Sequence, residues 1–195
     1  MNRRILAFGI FLIQITSSIA LAQDQQGQTR TTIFGGTTAF TDGNATSIGS
    51  TVGVGWGVTV REQLHFSLSG SSSNTEGNYT TEGATYPINA NTLSAQTSLT
   101  QFFRTGENNL FIPFAAGGFS VASYAIDFTY PNSTIGRTSG AAPGVFGNFG
   151  VEMRMGDHFT LVPQYRVDAM NIRTESGDSV FLRSSGLLFS LKISG

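Results

Sequence analysis

Two runs carry most of the residues that could do chemistry. In 145–155, Glu152 and Arg154 alternate with Val151, Met153 and Met155; in 159–170, Gln164, Arg166 and Asp168 alternate with Pro163, Tyr165, Val167 and Ala169. In extended chain, spacing by two places each polar set on one face. Carboxylates gathered in a cleft can act as general acid and base. Carboxylates interleaved with arginines on neighbouring strands can instead satisfy one another in a closed interior, and the alternation favours that second role. Arg104 and Lys192 project to the same polar face from two other runs. The expected lumen network is therefore Arg104, Glu152, Arg154, Gln164, Arg166, Asp168 and Lys192, structural rather than catalytic.

Other candidates for chemistry fail on spacing. Gly53, Gly55 and Gly57 recur every second residue inside one extended run, which is not the glycine pattern of a dinucleotide loop between strand and helix. No cofactor is implied. His65 opens an extended run facing inward and His158 sits in a short turn, so they make neither a metal pair nor a convincing catalytic base. The absence of cysteine removes disulfides, thiolate metal sites and a cysteine nucleophile. Asn44, Asn78 and Asn132 begin N-x-S/T triplets, which arise readily by chance in a chain rich in serine and threonine.

Composition says what the polar and apolar faces meet. Only 12% of the 195 residues are charged, about half the share usual in a soluble domain, and the net charge is −1. With a single lysine and ten scattered arginines there is no basic stripe to follow a phosphate backbone, so no nucleic-acid partner is expected. Residues 1–22 have Arg3 and Arg4, an apolar stretch from Ile5 to Ile15, and Ala20, Leu21 and Ala22 in a small-x-small pattern. That is the signature of a cleaved secretory signal peptide, leaving one mature domain over 23–195. Beyond it no apolar run approaches the length of a membrane helix.

Period two runs through the mature chain. From Ile48 to Val60 the even positions are mostly bulky and apolar while the odd ones are glycine and threonine. In 91–104, Leu93, Ala95, Thr97, Leu99 and Phe103 oppose Thr92, Ser94, Gln96, Ser98, Thr100 and Arg104. Eight such strands are expected, at about 30–40, 48–60, 64–72, 91–104, 110–128, 144–155, 159–170 and 180–194. Most have the length a tilted membrane strand requires. Short links at 61–63, 105–109 and 156–158 alternate with longer polar ones at 41–47, 73–90, 129–143 and 171–179. Val60 and Leu64, and Met155 and Phe159, keep the same parity across two of the short turns, so both hairpins are expected to close without a slip.

The fold class implied is all-β: an eight-stranded antiparallel up-and-down transmembrane barrel with lipid on its apolar face. Eight strands leave a lumen that side chains can fill, which disfavours a large diffusive porin. Interfacial aromatics are expected at two levels. Trp56, Phe66, Phe103, Phe114, Phe159 and Phe189 fall towards the short turns, and Phe40, Tyr124, Phe128, Tyr130 and Phe181 towards the longer loops.

The signal peptide, the stretch Leu110 to Tyr130 (LFIPFAAGGFSVASYAIDFTY) and the hairpin Phe149 to Val167 (FGVEMRMGDHFTLVPQYRV) resemble the small eight-stranded outer-membrane barrels of the OmpA/OmpX-like and opacity-type porin group. The resemblance covers the whole mature chain. It implies residence in the outer membrane, folding by the barrel-assembly machinery, and a role among membrane integrity, adhesion and small or gated pores, with a ligand possible at the long loops. Such families end in an aromatic residue, whereas this chain ends Lys192, Ile193, Ser194, Gly195. Lipid A-modifying barrels of the same size use a histidine near the outer-leaflet level, and neither His65 nor His158 falls near the long-loop end.

Overall fold

The computed structural model describes residues 29–42, 45–61, 63–81, 84–103, 110–129, 135–156, 158–173 and 179–194, with side chains placed at all of these except 42, 45, 61, 81, 135, 173 and 179–181. The expected signal peptide lies outside them. Eight strands form: β1 (Thr29–Asp42), β2 (Ala45–Arg61), β3 (Leu64–Thr81), β4 (Ala84–Phe102), β5 (Phe111–Thr129), β6 (Ile135–Arg154), β7 (Phe159–Arg173) and β8 (Ser179–Ser194). Each pairs antiparallel with its chain neighbours, and β8 closes onto β1 from Arg30↔Ser194 to Thr41↔Arg183. Closure leaves no open sheet edge, the condition for a sheet to cross a bilayer.

Sequence period and facing agree in most strands. Ile48, Val52 and Val60 of β2, Leu99 of β4, Phe119 and Val121 of β5, Val145 and Phe149 of β6, Val167 of β7 and Leu187 and Phe189 of β8 all lie exposed on the outside. Phe149 and Tyr165 are cross-strand partners there, with ring centroids 5.4 Å apart. The small face of β2 turns inward and makes room for larger side chains. The Phe34 ring lies over Gly53, where any Cβ would displace it, and the His65 imidazole lies over Gly57 in the same way.

The strands are longer than the alternation suggests, 14–20 residues. Residues 73–90, read from sequence as a loop, belong almost wholly to β3 and β4, which pair from Leu64↔Gln101 to Thr81↔Ala84. Most of 129–143 likewise belongs to β5 and β6, paired up to Thr129↔Ile135. The reason is physical. Above Gly70 and Leu93 the outward residues become Ser72, Asn74, Glu76 and Asn78 on β3 and Asn91, Asn89 and Pro87 on β4, so polar groups occupy both faces and the apolar period vanishes. Backbone pairing needs no apolar face, and the ladder continues. The barrel thus has a turn end, with the links near 62, 104–109 and 157, and a hairpin end.

Two local features differ from a plain ladder. Between β2 and β3 the register shifts at Val60, so Thr59↔His65 is followed by Arg61↔Leu64. This bulge corrects the expectation of a slip-free turn, although the strand bodies keep their sides, as Val58↔Phe66 shows. At the β6–β7 turn no slip occurs. The Met155 N–H donates to the Phe159 carbonyl at 2.8 Å, and Gly156, at φ 96°, takes the left-handed conformation that glycine adopts without strain.

The β6–β7 seam is the least continuous. Its pairing skips from Gly150↔Gln164 to Met153↔Leu161, where Pro163 has no N–H to give, and stops at Gly144↔Met170, next to Pro143. By contrast β5 and β6 pair without a break from Phe111↔Met153 to Thr129↔Ile135.

Candidate functional site: the barrel lumen

Inward-facing side chains fill the lumen in layers. Nearest the turn end, Glu152 of β6 is 1% exposed and accepts hydrogen bonds from two cations. Lys192 of β8 donates from Nζ to Oε1 at 2.5 Å, and Arg30 of β1 donates from Nη1 to Oε2 at 3.2 Å and to Oε1 at 3.3 Å. These groups lie against the apolar cluster of Phe102, Ile112, Phe114 and Val162. Lys192 Nζ is 5.6 Å from the centroids of both the Phe102 and Phe114 rings, and Arg30 Cζ is 5.8 Å from that of Phe102. Ring faces carry negative potential, so the aromatics help hold the cations in a place shielded from water.

A second polar layer crosses the middle. Arg166 donates from Nε to both oxygens of Asp168, at 2.9 and 2.8 Å, and from Nη2 to Asp168 Oδ1. Its Nη1 reaches Gln96 Oε1 at 2.7 Å across the lumen, and its guanidinium stacks 4.0 Å above Phe146. Asn148, Gln164 and Ser190 form a chain beside it: Asn148 Nδ2 donates to Gln164 Oε1 at 2.8 Å, and Gln164 Nε2 donates to Ser190 Oγ at 2.9 Å. Serine and threonine pairs line the opposite wall, among them Ser71–Ser94 and Thr51–Ser73 at 2.7 Å and Ser67–Ser98 at 2.6 Å.

The hairpin end of the lumen is apolar. Phe40, Ala122, Tyr124, Ala142, Met170 and Ile172 form one buried cluster, with Ile126 and Leu182 packed against it. Further out, Tyr79 and Phe128 meet edge to face at 6.0 Å. Two cavities separate the layers, about 80 Å³ between the two polar layers and about 40 Å³ between Arg166 and the apolar cluster.

Of the residues expected in the lumen network, Glu152, Gln164, Arg166, Asp168 and Lys192 meet inside in this way. Arg154 does not join them: it ends β6, is exposed, and makes no ion pair among the described residues. It pairs across the ladder with Thr160, yet its side chain is exposed at the end of the strand. Arg104 lies outside the described residues. Sequence reasoning missed Arg30, and it put Gln96 on the polar face of 91–104 without joining it to the network. The threonine-rich β1 alternates too weakly to show a face, and Arg30 is placed only by the closing register with β8.

The aromatic expectations divide. Phe103, Phe159 and Phe189 are exposed on the outside, and Trp56 is half-buried on the outward face of β2. Phe40 and Tyr124, 7% and 6% exposed, are inside the lumen instead of at a lipid interface, as is Phe114. Phe128 pairs with the buried Ile88, so it too faces inward. The side chain of Phe181 and the whole of Tyr130 lie outside the described residues. In β5 the even residues Ile112, Phe114, Ala122 and Tyr124 are as apolar as the odd ones, so its composition carries no facing signal. Neighbouring strands decide, through pairs such as Phe102↔Phe114. His65 is buried inside near the turn end, 6.4 Å from Phe102 ring to ring, and His158 is exposed in its turn.

Among the described residues no group of three or more histidine, cysteine, aspartate or glutamate side chains could hold a metal ion, and no helix is long and apolar enough to cross a membrane. The model of the outer membrane protein beta-barrel domain family matches residues 9–192. Among solved structures, the fold is similar to that of Neisserial surface protein A, with TM-score 0.62 at 11% identity over 87% of this chain and 99% of that one. It is also similar to outer membrane protein OprG from Pseudomonas aeruginosa, with TM-score 0.55 at 10% identity over 87% of this chain and 97% of that one. At such identities the likeness is one of fold. No curated protein matches the sequence.

Proposed function

The chain belongs to the outer membrane protein beta-barrel domain family, and from that premise we propose that it is a non-enzymatic, plugged outer-membrane scaffold that presents its β3–β4 hairpin at the cell surface, serving membrane integrity or adhesion. The observation that carries this reading is the lumen's closure at three levels: Arg30–Glu152–Lys192 with its aromatics, Arg166–Asp168–Gln96, and the Phe40–Tyr124–Met170 cluster. The first two layers span the barrel with ion-paired and hydrogen-bonded side chains and the third with packed apolar ones, so a hydrated ion would have to break ion pairs or pass an apolar constriction. The hairpin supplies the surface. Its outward residues Asn74, Glu76, Asn78, Asn89 and Asn91 are polar, in contrast with Phe66 and Leu99 below them.

Three partners follow from this reading: lipid surrounds the apolar band, the barrel-assembly machinery folds the chain, and an extracellular ligand can meet the hairpin. Nucleic acid is not among them. A lipid A-modifying activity is disfavoured because His65, the buried histidine, is at the turn end among cations. A second reading, a small pore, draws on the two stacked cavities. Planar-bilayer recording of the purified barrel separates the two: the plugged scaffold gives at most small, rare conductance steps, and large steady channels would overturn it.

A further inference from the structure

The lumen contains more positive than negative charge. Arg166 and Asp168 neutralise each other, while Glu152 alone faces both Arg30 and Lys192. Among the described side chains of the lumen this leaves one cation in excess, inside a barrel whose outer wall is apolar. Such a charge, cut off from bulk water, is costly without a counter-ion.

Donor capacity is in excess at the same place. Arg30 Nε is buried without a hydrogen-bond partner, and the Lys192 ammonium, which has three hydrogens, donates only to Glu152 among the described residues. The larger cavity lies directly above. Lys192 borders it on one side and Arg166 on the other; hydroxyls of Thr32, Ser67, Ser98 and Thr100 share the wall with the carboxamide of Asn148, whose Oδ1 is buried without a donor, and no carboxylate lines it. At about 80 Å³ it exceeds the room needed for a single water.

We propose that this cavity is a binding site for a small monovalent inorganic anion of chloride size, held between Lys192 and Arg166 by their charge and by hydroxyl donors. The hydroxyls rotate to donate, so the wall suits an anion without any backbone rearrangement. The ion neutralises the lumen and gives Lys192 a second acceptor. The site is independent of whether the barrel conducts.

The test uses the refolded mature barrel in detergent. Its unfolding midpoint is followed by the gel shift on heating, at constant ionic strength, as sodium chloride or bromide replaces sodium gluconate, whose anion is too large for the cavity. The expected result is a saturable rise in the midpoint with chloride or bromide, and an anomalous bromide peak between Lys192 and Arg166 in bromide-grown crystals. Lys192→Gln removes the excess charge and should abolish the rise. Thr100→Val preserves every charge, guards against a folding failure of the first variant, and should weaken apparent halide affinity about ten-fold. No halide-dependent rise in the wild type, an equal rise in wild type and Thr100→Val, or a cavity without anomalous density would each overturn the site.

Discussion

Glu152 Oε1 and Lys192 Nζ lie 2.5 Å apart although the whole of β7 separates their strands, so this contact ties β6 to β8 through the lumen instead of along the wall. Arg30 of β1 joins them at 3.2 Å, and three strands around the closing seam share one carboxylate.

Glu152→Ala leaves Arg30 and Lys192 buried without their acceptor. Removing one partner of a buried ion pair costs about 3 to 5 kcal/mol, and a loss of that size is expected in urea-driven unfolding from lipid vesicles. The same variant should show more frequent conductance steps than the wild type in planar bilayers. Unchanged stability would mean that the two cations find other partners.

The outward face of β2 tests the lipid boundary. Val54 lies midway along its apolar band, whereas Thr51 faces inward and bonds Ser73 at 2.7 Å. Val54→Arg should cost about 2 to 4 kcal/mol in refolding into vesicles, and Thr51→Ser, which retains the hydroxyl, should cost little. Equal effects would show that the facing is wrong.

Packing inside the barrel gives a third measurement. Gly53→Val sets a side chain against both the Phe34 ring and the Gly70 carbonyl oxygen, and overpacking of this kind costs about 1 to 3 kcal/mol. Gly53→Val with Phe34→Ala should recover part of the loss, because the second change vacates the space. A double variant no better than the single would place the loss at the Gly70 carbonyl instead of the Phe34 ring.

Topology can be read on intact cells. Cysteines placed at Glu76, on the polar outward face of the β3–β4 hairpin, and at Met155, in the β6–β7 turn, differ only in which end of the barrel they mark. A membrane-impermeant thiol reagent should label the Glu76→Cys protein alone. Labelling at Met155→Cys, or equally at both, reverses or rejects the orientation.

The β6–β7 seam should be the first part of the wall to open. Amide hydrogen exchange in detergent is expected to be faster at Ala141 and Asn171, beyond the last pair Gly144↔Met170, than at Ala116 and Asn148 in the continuous β5–β6 ladder. Uniform protection along both seams would deny the prolines any local effect.

The sequence by itself determined the eight strands, the antiparallel barrel and the inward side of β2, β4, β6, β7 and β8. In those strands one face meets lipid and the other a narrow polar lumen, and that difference is written residue by residue as period two. For the same reason the lumen positions of Glu152, Gln164, Arg166, Asp168 and Lys192 could be read from parity. What the sequence could not decide is where both faces have the same character. In β5 apolar residues occupy both sides, and in the upper parts of β3 and β4 polar ones do, so only pairing with neighbours fixed Tyr124 and Phe128 inside and turned 73–90 into strand. Partnership across the barrel belongs to tertiary structure for a further reason. Parity tells which side a residue takes, but the meeting of Arg30 with Glu152, 122 residues away, depends on the register with which β8 closes onto β1.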